Sequence, residues 1–188
     1  MPMLIYRPSH ADRTEFVEFW RCVYGDDKTE KLYSENIRRE LTEQSILQLF
    51  EWKNTTRLSK RKEASVRRNF IEPLQAGRLE NIQPDQSRED LLAHFPEGGV
   101  IFRIFWLHCL QPDRFPIYDQ HVHRAMAYLL KWPQVDIPDY DPTKVNIYIE
   151  KYLPFTEMFD GCDRRKTDRA LWTFGRFLSL GYAKALTT

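Results

Sequence analysis

Asp119, His121 and His123 stand in a D-x-H-x-H run that begins three residues after Pro116. A carboxylate at the start of a helix is held as an anion by backbone N–H donors and the helix dipole. Asp119 is therefore suited to stabilise a developing positive charge or to orient an attacking water. The plainer reading makes it an N-cap, a role Asp fills widely. The run also invites a metal site, because imidazole and carboxylate both ligate Zn. On a strand all three side chains would share one face. On a helix beginning at Asp119, His121 points away from the other two, and the helical reading argues against metal. His121 is then expected to pack or hydrogen-bond within the fold, and Arg124 to pair with an acid or a phosphate.

These residues belong to a stretch, 95–130, around which the chain is organised. Phe95, Pro96, Glu97, Gly98 and Gly99 are punctuated for a tight turn, since Pro fixes φ and Gly tolerates positive φ. Val100–Leu110 is almost wholly apolar or aromatic, which predicts a helix buried on most faces. Residues 111–114 break it, residues 115–118 read as a short extended link, and Asp119 caps a second helix running to about Leu130 and ended by Trp132 and Pro133.

The flanks are helical in pattern. Phe16, Val17, Phe19, Trp20 and Val23 fall on one face of a helix over residues 12–24, and a weaker pattern covers 28–39. Thr42 is placed to cap a helix through Ile46, Leu49, Phe50 and Trp52 that stops near Asn54. Ser59 caps a basic helix carrying Lys60, Arg61, Lys62, Arg67 and Arg68, dense enough to follow a phosphate backbone, or simply solvated. Residues 75–86 read as a loop, and Ser87 starts the helix that leads into the hairpin. Residues 145–152 form an apolar helix, Pro154 and Gly161 bound a break, and Asp163 caps a last helix with Arg164, Arg165 and Lys166 in its first turn. Cations there oppose the helix dipole, which mildly favours an anion nearby.

Composition sets the bounds. A chain of 188 residues is one globular unit, or two helical lobes, and 14% aromatic residues exclude a disordered polypeptide. A net charge of +1 supplies no global attraction for nucleic acid, so any affinity must come from local patches. Cys22, Cys109 and Cys162 suggest neither a disulfide framework nor a closed zinc site. The short apolar start, interrupted at Arg7 and Pro8, predicts no signal peptide and a soluble, cytoplasmic protein.

The order of elements resembles the helix-hairpin-helix DNA glycosylase superfamily. There a hairpin of the type L-P-G-x-G opens a buried helix, and a later P-x-x-D-x-H-x-x-R segment carries the essential aspartate. The matching residues are Phe95, Pro96 and Gly99, then Pro116, Asp119, His121 and Arg124. Ile101, 18 residues before Asp119, falls where the lysine of bifunctional members stands, and Glu97 replaces the first hairpin glycine. The resemblance implies an all-α, compact two-lobed fold with a cleft between the lobes, its hairpin and catalytic segment at about 87–132 within a single unit of residues 1–188. It implies a monofunctional enzyme that hydrolyses the bond between sugar and a flipped-out damaged or modified base, including the hypermodified bases of phage DNA in a defence role. Asp119 would be catalytic, stabilising the oxocarbenium ion or orienting water. Tyr118, Trp52, Asn54 and Trp106 are base-pocket candidates, with core packing as their other role. Gly98, Gly99, Lys60, Arg61, Lys62, Arg67, Arg68, Arg164, Arg165 and Lys166 would contact DNA. No cofactor, metal or iron–sulfur cluster is implied, and the partner is duplex DNA bound by a monomer. The alternatives are a non-catalytic nucleic-acid or protein binding module of the same fold, which Glu97 favours, and a metal hydrolase built on D-x-H-x-H.

Overall fold

A computed structural model of the chain describes residues 13–24, 29–78, 85–95 and 97–180. Among them every regular element is helical. The first segment, Pro96 of the hairpin and half of the loop expected at 75–86, residues 79–84, lie outside the described residues. The chain divides into two compact units: described residues 29–115 form one, and 13–24 with 116–180 form the other.

The first of these units holds α2 (Glu30–Ser34), α3 (Glu43–Asn54), α4 (Lys60–Val66), a π-helical turn (Arg67–Ile71), α5 (Glu72–Gln75), α6 (Arg88–His94) and α7 (Val100–Leu110). α2 is shorter than the 28–39 helix that periodicity suggested, the chain continuing past it in turns. Thr42 and Ser45 cap α3 reciprocally, and the Ser59 and Ser87 hydroxyls accept from the Lys62 and Asp90 amides at the starts of α4 and α6. The core is aromatic: Phe50 stacks on Phe70 and meets Phe102 and Phe105 edge-on.

The second unit holds α1 (Arg13–Val23), α8 (Gln120–Leu129), α9 (Asp141–Ile147), a second π-helical turn (Tyr148–Tyr152), α10 (Leu153–Glu157) and α11 (Arg164–Ser179). α11 packs on both α1 and α8, burying Phe16, Trp20 and Phe174. α8 ends in a Schellman turn: the Trp132 N–H donates to the Ala127 carbonyl at 2.7 Å and the Lys131 N–H to Tyr128 at 3.1 Å, with Lys131 left-handed at φ 54°.

Pro154 does not break the helix as its residue type suggested. It sits in the first turn of α10, directly after the π turn, and Pro73 occupies the same place in α5. The residue before each proline donates five residues back, Glu72 to the Arg67 carbonyl and Leu153 to Tyr148. A proline ring clashes with the carbonyl four residues earlier and offers no N–H, and one widened turn relieves that conflict without ending the helix.

α8 and α11 meet at Gly175, where an added Cβ would lie 1.8 Å from the His121 carbonyl oxygen, too close for any side chain. Gly175→Ala must push two buried helix backbones apart. It is expected to lose about 3 kcal/mol, at the upper end of overpacking costs, measured as a fall in the urea unfolding midpoint.

Candidate active site

Asp119 sits half-buried at the N-terminus of α8, its Oδ1 accepting from the His121 amide at 2.9 Å and the Val122 amide at 3.2 Å. The segment before it lies outside any helix and has no strand to pair with, so its backbone groups need other partners. Two tyrosines supply them. The Tyr148 hydroxyl donates to the Pro116 carbonyl at 3.1 Å and the Tyr152 hydroxyl to Ile117 at 2.7 Å. They are the first and last residues of the π turn, and both rings are fully buried. Burial, with the charges of Asp168 and then Tyr148 and Asp119 behind it, pushes the Tyr152 hydroxyl well above the ordinary tyrosine range. It stays a donor.

The next residue is fixed through its side chain. Tyr118 is buried, its hydroxyl 2.7 Å from His123 Nδ1, while His123 Nε2 lies 3.0 Å from the Gln134 carbonyl. A carbonyl can only accept, so Nε2 carries the proton and Nδ1 accepts from Tyr118. Burial holds the His123 pKa below its ordinary value, which keeps that tautomer neutral. Beyond α8 the chain is tied back to the same helix. Gln120 donates to Asp136 and accepts from the Ile137 amide, and Arg124 pairs with Asp136 at 3.0 Å, the acid partner expected for it. His121 faces Trp172 of α11 with ring centroids 5.1 Å apart, whereas His123 faces Tyr118 and Trp132. Among the described residues no three His, Cys, Asp or Glu side chains converge on a point that could hold a metal ion.

In the other unit the hairpin and the basic segment are neighbours. Gly98 has φ +85°, and a Cβ there would come within 3.2 Å of Asn69 Nδ2 and 3.7 Å of Phe70, both in the Arg67–Ile71 π turn. Arg103 of α7 reaches back to the Leu92 and Phe95 carbonyls, anchoring the start of the hairpin. Glu97, Gly98 and Gly99 are exposed, and Gly99 begins α7 with no side chain over its first amides. Lys60, Arg61 and Arg68 are exposed close by in sequence, and Arg68 Nε donates to Asn69. Other cations of the segment are engaged. Arg67 binds Glu43 and Glu63, and Lys62 reaches the Asn54 side-chain oxygen at 2.5 Å.

The remaining sequence candidates fall as follows. Trp106 and Tyr118 have no exposed surface, so neither can stack on a base; Trp106 packs on Phe70 and Phe95, and Tyr118 on Tyr148 and Tyr152. The apolar run around Trp106 and the link before Asp119 turn both rings into the core. Trp52 is half-buried, its ring tilted against Tyr33 with centroids 4.4 Å apart and its indole N–H on Glu30. Asn54 spends its amide on Thr56 and its oxygen on Lys62, closing a helix end. Arg164 is exposed at the start of α11, Arg165 is half-buried, and Lys166 pairs with Glu18 of α1 at 3.0 Å. Tyr148, Tyr152 and Asp168 were not singled out by the sequence; the Y-x-x-x-Y spacing was the one available signal. No protein-family model, curated protein or solved structure matches the chain.

Because His123 is folded with a depressed pKa, the unfolded chain takes up its proton first as pH falls. Stability is therefore full above the ordinary histidine value of about 6.5 and declines below it. Thermal midpoints taken from pH 7.5 to 5.5 should fall, and fall less in His123→Gln.

Proposed function

We propose that the protein is a monofunctional DNA glycosylase of the helix-hairpin-helix type. It acts inside the cell as a monomer without a cofactor and hydrolyses the bond between deoxyribose and a flipped-out damaged or modified base. The observation that carries this reading is the setting of Asp119. It caps α8 at the end of a segment whose carbonyls are held by buried tyrosines, and it lies 18 residues after Ile101 on the helix that follows the hairpin. Cleavage of an N-glycosidic bond builds positive charge on the sugar, and a carboxylate fixed in advance stabilises that charge without reorganising. Ile101 offers no amine for a Schiff base, so the product is an abasic site with the strand intact.

DNA contact falls to the hairpin and the basic segment. Uncapped amides at the start of α7 suit a backbone phosphate, and exposed Lys60, Arg61 and Arg68 suit its neighbours. Exposed Glu97 favours the second reading, a binding module that contacts nucleic acid without excising a base. A carboxylate in the loop opposes a phosphate at the same place.

Two experiments test the proposal. Free base is assayed from a panel of DNAs carrying uracil, alkylated and oxidised bases and hypermodified phage bases, with abasic sites revealed by alkali. Asp119→Asn should lose at least about 10²-fold in rate, retain DNA binding, and lose no more than about 1 kcal/mol of stability, since Asn also caps. Base release at full rate in the variant removes Asp119 from the mechanism, and DNA binding with no release by the parent chain selects the binding module. In the second experiment, Lys60→Gln with Arg61→Gln should lower the slope of log affinity against log salt by about 2, while Arg67→Gln, whose partner charges are internal, changes it little.

A further inference from the structure

We infer that Tyr152, assisted by Tyr148, is a positioning residue for the Asp119 carboxylate. This rests on the glycosylase reading for its catalytic consequence but on geometry for its structural one. Pro116 and Ile117 are the last residues before Tyr118 and Asp119, and nothing else among the described residues' hydrogen bonds takes their carbonyls. Removing the 2.7 Å bond from Tyr152 leaves the Ile117 oxygen unpaired in a buried site. The chain can then recover a partner only by rotating the peptide two residues before the carboxylate. Tyr118 is held from the other side by His123, so the rotation is passed on to Asp119 and weakens its grip on the His121 and Val122 amides. A shift of a fraction of an ångström in a catalytic group is enough to slow a reaction without changing substrate affinity.

The same turn explains why the device needs a π helix. Tyr148 and Tyr152 bracket it, and the widened turn also accommodates Pro154, so a single local irregularity serves both. In Tyr152→Phe the ring, its packing on Tyr118 and Tyr148, and the helix all remain, and only the hydroxyl is lost.

The test has two independent readouts on the full chain. Amide hydrogen exchange by NMR should show protection at His121 and Val122 falling roughly tenfold in Tyr152→Phe, with the interior amides of α8 and α11 unchanged. A purely structural role lowers protection across the whole unit together, or nowhere, and either pattern overturns the inference. On whichever DNA the parent chain proves to release a base from, Tyr152→Phe should lose roughly 10- to 100-fold in kcat with KM unchanged, and no further rate in an Asp119→Asn background. An added loss there also overturns it. A parent chain that releases no base sinks the glycosylase reading alone, and the exchange experiment still decides the positioning.

Discussion

Residues 115–117 present three consecutive backbone carbonyls with no strand beside them, and each is met by a buried side-chain donor. His108 donates through Nδ1 to Phe115 at 2.7 Å, Tyr148 to Pro116 and Tyr152 to Ile117. A non-helical segment inside a helical protein cannot satisfy itself as a helix does, and each unpaired oxygen would cost about 1–3 kcal/mol. The chain passes from one compact unit to the other within this segment, between Phe115 and Pro116. The bonds that satisfy the backbone also set the direction in which α8 starts, and with it the position of Asp119.

The two imidazoles near this segment obey the same rule with opposite nitrogens. His108 gives Nδ1–H to a carbonyl and takes the Tyr33 hydroxyl on Nε2; His123 gives Nε2–H to a carbonyl and takes the Tyr118 hydroxyl on Nδ1. A tyrosine, a histidine and a carbonyl in line leave no polar atom of the ring unpaired, which is what burial demands. It also accounts for the D-x-H-x-H run without a metal: His123 has both ring nitrogens occupied, while His121 belongs to the face that meets Trp172 and lies beside the Gly175 contact.

Local signals carried most of the helical layout. Thr42, Ser59, Ser87, Asp119 and Asp163 all cap the helices expected of them, because capping needs only a short polar side chain and the amide two or three residues on. The apolar run after the hairpin gave α7 its bounds for the same reason. Three features were illegible because they depend on distant residues. The hydroxyls of Tyr148 and Tyr152 act on a segment more than thirty residues earlier in the chain, and periodicity could register them only as apolar. Pro154 looks like a helix breaker until a π turn absorbs it. Trp106 and Tyr118 looked available as stacking rings, and only the packing around them shows that they are core.

Charge illustrates the difference between a total and its distribution. A net charge of +1 supplies no global attraction for a polyanion, yet many acids in the structure are spent on internal or local pairs: Glu43 and Glu63 on Arg67, Glu18 on Arg21 and Lys166, Asp113 on Arg38, Asp136 on Arg124. Such pairs cancel in the count and leave little field beyond the Debye length of about 8 Å at physiological salt. What a polyanion would meet is set by the cations that have no carboxylate beside them. At the start of α4, Lys60 and Arg61 are exposed on the first turn, and Arg68 follows on the π turn that touches Gly98. The hairpin therefore stands beside the most basic part of the chain, and a near-neutral protein offers a local positive surface next to a helix start at which Gly99 brings no side chain to cap the first amides.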